Sequence, residues 1–157
     1  MHNKTDEPYR KALNTALRIL TRRDHSKHEL VQKLKARGYT EEIIDNVISR
    51  CERYDYVNDE RTAQIYIRQL HRKGSGQRRI RSELNLRGLR GKQFQEMVSQ
   101  NISLSDERQG AKKIYLKHIR RFERVKDASK RKDKIYRYLD GRGFSKIVIS
   151  ELIGRVG

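Results

Sequence analysis

With 157 residues, 38 Lys/Arg against 20 Asp/Glu, a formal charge of +18 and 34% apolar residues, the chain is too polar for one large core and points to a polyanionic partner, nucleic acid first. Cys51, the single cysteine, excludes an intramolecular disulfide and a cysteine-based metal cluster. No stretch approaches the roughly 20 apolar residues of a membrane span, and Met1 to Glu7 carry no apolar signal segment, so a soluble, cytoplasmic protein is expected.

The first predicted helix carries Leu13, Ala16, Leu17 and Leu20 as its apolar stripe. Ser26-Lys27-His28-Glu29 reads as a capping box that opens a second helix. Its stripe, Leu30 and Leu34, ends at Gly38, the residue type that accepts a left-handed conformation just beyond a helix. Thr40 caps a third helix, with Glu41 and Glu42 in the first turn and Ile43, Ile44, Val47, Ile48 and Cys51 on the apolar face. Asn58-Asp59-Glu60 then opens a helix bearing Ala63, Tyr66, Ile67 and Leu70, and Ser105-Asp106-Glu107 one bearing Ala111, Ile114, Tyr115 and Ile119.

The pattern is repetitive. Sliding the sequence by 50 positions lays Ser26–Ile48 on Gly76–Val98, and sliding by 105 lays it on Arg131–Ile153. Leu30, Ile80 and Ile135 coincide, as do Leu34, Leu84 and Leu139, and so do the pairs Arg37-Gly38, Arg87-Gly88 and Arg142-Gly143. The expected fold is all-α: three tandem three-helix repeats, at residues 10–57, 58–103 and 104–157, forming an elongated, curved body because such units touch mainly their neighbours. The third repeat has a longer basic connection, Arg121 to Ser129.

Charge is unevenly placed. Residues 1–70 hold 14 Lys/Arg against 11 Asp/Glu, and residues 71–157 hold 24 against 9. Between His71 and Lys92 lie Arg72, Lys73, Arg78, Arg79, Arg81, Arg87, Arg90 and Lys92 with one acid, Glu83. Lys112, Lys113, Lys117, Arg120 and Arg121 form a second set. Both suit phosphates or an acidic protein groove, each neutralised phosphate releasing counterions. The arginines of the Arg-Gly pairs also sit where a helix C-terminus favours positive charge, so dipole and partner readings both stand for them.

Residues suggestive of catalysis do not assemble. Lys73-Gly74-Ser75-Gly76 lacks the order of a phosphate loop and reads as a flexible boundary between helices. His25 and His28 lack further metal ligands, Cys51 lies on an apolar stripe, and the carboxylates sit at helix starts or beside basic residues. The eight tyrosines are mostly on helix stripes, which favours core packing over a base-stacking platform. No enzyme activity, metal or cofactor is expected. A helix-turn-helix DNA-binding regulator is the alternative, since two helices joined by a Gly-containing turn can form that motif; the acidic and apolar start of the Glu41–Arg50 helix suits neither groove nor phosphate.

From Ala12 onward the chain resembles the RecX family of recombination regulators. The resemblance lies in Ser26-Lys27-His28-Glu29-Leu30 through Lys33-Leu34 and Arg37-Gly38-Tyr39, in Asp55-Tyr56-Val57-Asn58-Asp59 through Ala63 and Tyr66-Ile67, and in Lys73-Gly74-Ser75-Gly76 through Ile80, Glu83-Leu84 and Arg87-Gly88. Thr62 stands where the family often has an aromatic residue. The resemblance implies three tandem three-helix units and a bacterial cytoplasmic protein that binds the RecA recombinase polymerised on single-stranded DNA. It further implies a negative modulator of recombination and the SOS response, suppressing ATP hydrolysis, strand exchange and co-protease activity. The thirteen basic residues named above are the expected filament and DNA contacts, made by a monomer.

Overall fold

The computed structural model describes residues 6–156, and among them it contains only helices: α1 Asp6–Arg22, α2 Lys27–Ala36, α3 Glu41–Arg53, α4 Asp59–Arg72, α5 Gln77–Leu86, α6 Lys92–Asn101, α7 Leu104–Lys117, α8 Ile119–Glu123, α9 Ala128–Gly141 and α10 Lys146–Val156. The chain divides into two compact units, Met1–Ala63 with Asn85–Arg90 and Gln64–Leu84 with Gly91–Gly157. None of the described helices is long and apolar enough to cross a membrane.

In the first unit α1, α2 and α3 enclose a core of Ala12, Ala16, Ile19, Leu30, Leu34, Ile44, Val47, Ile48, Cys51 and Val57. The expected box at α2 is present: Ser26 Oγ accepts from the Glu29 N–H at 3.1 Å and Glu29 accepts from the Ser26 N–H at 3.2 Å. Thr40 and Asn58 cap α3 and α4 as expected, accepting from the amides of Ile43 and Arg61. The face of α1 is turned slightly from the sequence reading: Ala12, Ala16 and Ile19 are buried, while Leu13 and Leu20 pack at the margin. Small alanines at the centre let the helix approach its neighbours closely. Cys51 is fully buried, and that burial pushes its thiol pKa up, consistent with a small apolar packing residue.

His25 is buried, 2% exposed, at the α1–α2 corner. Its Nδ1 lies 3.0 Å from the Arg23 carbonyl and Lys33 Nζ lies 2.8 Å from its Nε2, a pairing that requires proton on Nδ1 and a free acceptor on Nε2. Thr62, itself buried, donates to the His25 carbonyl at 3.4 Å. Burial first, then the charges of Arg23 and Lys33, hold the His25 pKa below its ordinary 6.5 against the opposing Arg23 carbonyl bond and Glu29 charge. The native state therefore keeps a neutral ring while the unfolded chain protonates, and stability falls as pH drops below about 6.5. Urea midpoints at pH 8 and pH 5 should show that fall, and a smaller one in His25→Gln.

In the second unit α7, α8, α9 and α10 surround Ala111, Ile114, Tyr115, Phe122, Ile135, Leu139, Phe144, Val148 and Ile149. Phe122 stacks on Tyr115 with ring centroids 5.7 Å apart. The N-cap of α7 is Ser103 rather than Ser105: Ser103 and Asp106 form the reciprocal box, two residues upstream of the sequence reading. Glu107, assigned above to the helix cap, is instead buried and accepts from the Gln77 N–H at 3.0 Å, serving the start of α5. The long basic connection is shorter than expected, because Ile119–Glu123 is helical and Asp127 caps α9, accepting from the Lys130 N–H at 2.9 Å. The segment Lys73–Gly76 does separate two helices, but Gly74, Ser75 and Gly76 are buried, so the boundary is tightly packed rather than loose. Arg108 grips Glu151 through two bonds, at 2.8 and 3.2 Å, tying α7 to α10 and lowering the Glu151 pKa.

The three repeat glycines adopt the left-handed conformation demanded of them, with φ of 86° at Gly38, 75° at Gly88 and 89° at Gly143.

Candidate polyanion-binding surface

The two basic sets named from the sequence fare differently. In the first, Arg72, Lys73 and Arg79 are exposed at the end of α4 and the start of α5. Arg78, on the same stretch, is committed to the fold: its Nη2 donates to Asp140 Oδ1 at 2.6 Å and to the carbonyls of Asp140 and Phe144 at 3.1 and 2.9 Å. Arg81 is half-buried and bonds Gln77 Oε1 and Ser99 Oγ. Lys92 lies 3.9 Å from Glu96, one helical turn along. Arg87 and Arg90 fall in the other compact unit, where Arg90 Nε donates to the Asn85 carbonyl. The eight cations that look like one cluster in the sequence are thus not one free surface.

Arg78 and Arg79 make a direct comparison. Arg78→Ala removes three hydrogen bonds from a half-exposed side chain and should cost about 1 kcal/mol, discounted for solvent screening. Arg79→Ala should stay within about 0.5 kcal/mol of the wild type. Urea unfolding of the two variants checks this.

The second set is more open. Lys112, Lys113, Lys117, Arg120 and Arg121 are all exposed on α7 and α8. Lys113 and Lys117 are one turn apart on α7, opposite the buried Ala111, Ile114 and Tyr115. Arg121 lies over the Tyr138 ring, 5.6 Å from its centroid, which holds the guanidinium while leaving its edge to solvent.

Three cations missed in the sequence lie beside it. An open groove of about 690 Å³ between α8 and α9 is lined by Arg121, Lys130, Lys134 and Arg137 around Phe122, Val125 and Tyr138, with Asp133 the one acid. The signal was present: Lys130, Lys134 and Arg137 follow the i, i+4, i+7 spacing of one helix face. Reading residues 121–129 as an irregular connection hid the groove's other wall. Four cations and an aromatic floor in one concavity favour a phosphate chain with an apolar moiety beside it.

The tyrosines divide. Tyr66 and Tyr115 are buried, but Tyr54 and Tyr56 are 54% and 49% exposed and stack on each other at 5.8 Å, so this pair departs from the core packing expected of most of the eight. Asp55 between them has φ 58°, and this turn carries both rings outward. Arg50 lies 5.7 Å from the Tyr54 ring centroid. Among the described residues no three His, Cys, Asp or Glu side chains come together as a metal site.

Two family models match the chain: RecX, first three-helix domain, over residues 12–51, and RecX, second three-helix domain, over residues 58–96. A protein of Vibrio vulnificus named regulatory protein RecX is 38% identical over 151 residues, spanning 92% of both chains. One of Legionella pneumophila with the same name is 34% identical, over 93% of this chain and 95% of that one. A crystal structure of a regulatory protein RecX superposes on 96% of this chain and 73% of that one with a TM-score of 0.83 at 24% identity. That of RecX from Lactobacillus salivarius does so on 96% and 97%, with a TM-score of 0.82 at 21% identity. These two structures speak to the fold.

Proposed function

The chain belongs to the RecX family of regulatory proteins, and on that premise we propose that it is a non-catalytic negative regulator of homologous recombination and the SOS response. It binds RecA filaments on single-stranded DNA as a cytoplasmic monomer and restrains their ATP hydrolysis, strand exchange and co-protease activity. Family membership supplies the partner. The observation that carries the mode of binding is the exposed cationic surface of α7 and α8, continued into the α8–α9 groove, where Lys112, Lys113, Lys117 and Arg120 are spent on no ion pair among the described residues. A cluster of like charges left without counter-charges is relieved by a polyanion, and a nucleoprotein filament presents phosphates at regular intervals.

Within the first basic set, Arg72, Lys73 and Arg79 are the contacts the exposed geometry favours, with Arg78 and Arg81 positioning the helices that present them. RecA-catalysed ATP hydrolysis on single-stranded DNA, followed while the protein is titrated in, tests the proposal. Dose-dependent inhibition is expected, and no inhibition at any ratio refutes it.

A further inference from the structure

The Arg-Gly turns do more than end helices. In the first unit, Ser26 at the start of α2 donates its hydroxyl to the Arg87 carbonyl at 2.6 Å, and a Cβ on Gly88 would collide with the His28 side chain. In the second unit the same relation recurs one repeat later. The Gly76 N–H at the start of α5 donates to the Arg142 carbonyl at 2.8 Å, the Arg78 N–H donates to the Gly143 carbonyl at 3.1 Å, and a Cβ on Gly143 would collide with the Arg79 backbone. Ser26 and Gly76 are equivalent under the 50-residue shift, and Arg87 and Arg142 are equivalent arginines of the pair. Each occupied turn therefore receives the N-terminus of a helix. A carbonyl at the end of one helix thus meets a donor at the start of another, the Ser26 hydroxyl in the first case and the Gly76 and Arg78 amides in the second.

The first turn, Arg37-Gly38, has the same backbone and no occupant. Gly38 is exposed, a Cβ there would meet nothing within 4 Å, and neither carbonyl accepts a hydrogen bond among the described residues. Arg37 turns its Nη1 to the Lys33 carbonyl of its own helix, 3.2 Å away, which leaves the turn open.

We propose that the Arg37-Gly38 turn is a docking site for the N-terminus of a helix from another protein, seated as α2 and α5 are seated on the later turns. No repeat-equivalent start of a second copy is free to supply that helix: those at Ser26 and Gly76 are already used, and the third equivalent position, Arg131, lies inside α9, its N–H bonded to the Asp127 carbonyl at 2.9 Å. The occupant opens with a small residue such as Ser or Gly, because a Cβ at Gly76 would lie 2.5 Å from the backbone it docks against. Exposed Lys35 and Arg37 beside the turn suit acidic residues in the occupant's first turn. The inference rests on the function proposed above, under which the RecA protein of the filament supplies the helix.

Gly38→Asn is the direct test. Asparagine tolerates the left-handed conformation, and the added atoms meet nothing in the free chain. In the docked state they would occupy the space that the incoming helix fills at Gly88 and Gly143. The variant should melt near the wild-type temperature, bind free poly(dT) as the wild type does, and need about tenfold more protein for half-maximal inhibition of RecA ATP hydrolysis on poly(dT). Lys35→Glu, an exposed change on the same turn, provides a second arm independent of backbone strain and should weaken inhibition in the same sense. Undiminished inhibition by both variants overturns the docking site and leaves the proposed regulation of RecA standing. An equal loss of free poly(dT) binding also overturns it, since the turn would then contact nucleic acid. Absence of inhibition by the wild-type chain overturns both readings.

Discussion

Gly76→Ala should destabilise the protein by about 3 kcal/mol, the upper part of the usual range for overpacking a filled site. The methyl group would lie 2.5 Å from the carbonyl carbon and oxygen of Gly143 and from the nitrogen of Phe144, all backbone atoms that have no rotamer with which to yield. Relieving the overlap means separating the start of α5 from the α9–α10 turn. That would stretch the Gly76–Arg142 and Arg78–Gly143 backbone bonds and displace Phe144, which is fully buried. Gly154→Ala is the matched control: a Cβ there meets nothing within 4 Å, and its place inside α10 predicts a gain of about 0.5–1 kcal/mol from reduced backbone freedom. Urea midpoints moving in opposite directions in the two variants are the expected result. A Gly76→Ala cost below about 1 kcal/mol would mean that the contact opens more freely than its backbone character permits.

Replacing Lys112, Lys113, Lys117, Arg120 and Arg121 together by glutamine should have the largest functional effect. Each cation that neutralises a phosphate of a single strand contributes about 0.7 to the slope of log affinity against log salt, so five such contacts remove up to about 3.5 from it. Inhibition of RecA would then require far more protein at low salt and would weaken less steeply as salt rises. Among the described residues four of the five side chains have no hydrogen-bond or ion-pair partner to lose, and Arg121 gives up only its contact with the Tyr138 ring, so the melting temperature should be nearly unchanged. Filament binding measured from 50 to 200 mM salt separates the outcomes, and an unaltered slope would place the contact surface elsewhere. Adding Lys130→Gln, Lys134→Gln and Arg137→Gln should deepen the loss if the groove tracks the same strand.

The contrast between Arg78 and Arg79 shows where the sequence stopped being sufficient. Neighbours of the same type in one basic run carry equal weight in a charge count, yet one is bonded to Asp140 and Phe144 and the other stands exposed. The direction of a side chain on a helix is periodic and therefore legible, but its partner lies 62 positions away in sequence and becomes visible only when α5 meets α9. Tyr54 and Tyr56 teach the same lesson in reverse. Core packing is the expectation for most tyrosines, whereas the positive φ of Asp55 between these two turns both rings to solvent.

Local chemistry, by itself, determined the helical class and the repetition. Capping at Ser26, Thr40 and Asn58, the apolar spacing and the left-handed glycines each depend on a few adjacent residues, and the structure realises them where the sequence put them. Tertiary structure decided what those signals are used for. The Arg-Gly pairs were legible as helix ends, but only packing made two of them seats for a helix start and left Gly38 uncovered. The reason is physical: a helix end is fixed by hydrogen bonds within a turn, whereas the leftover carbonyls are satisfied by whichever amide or hydroxyl the rest of the chain brings to them.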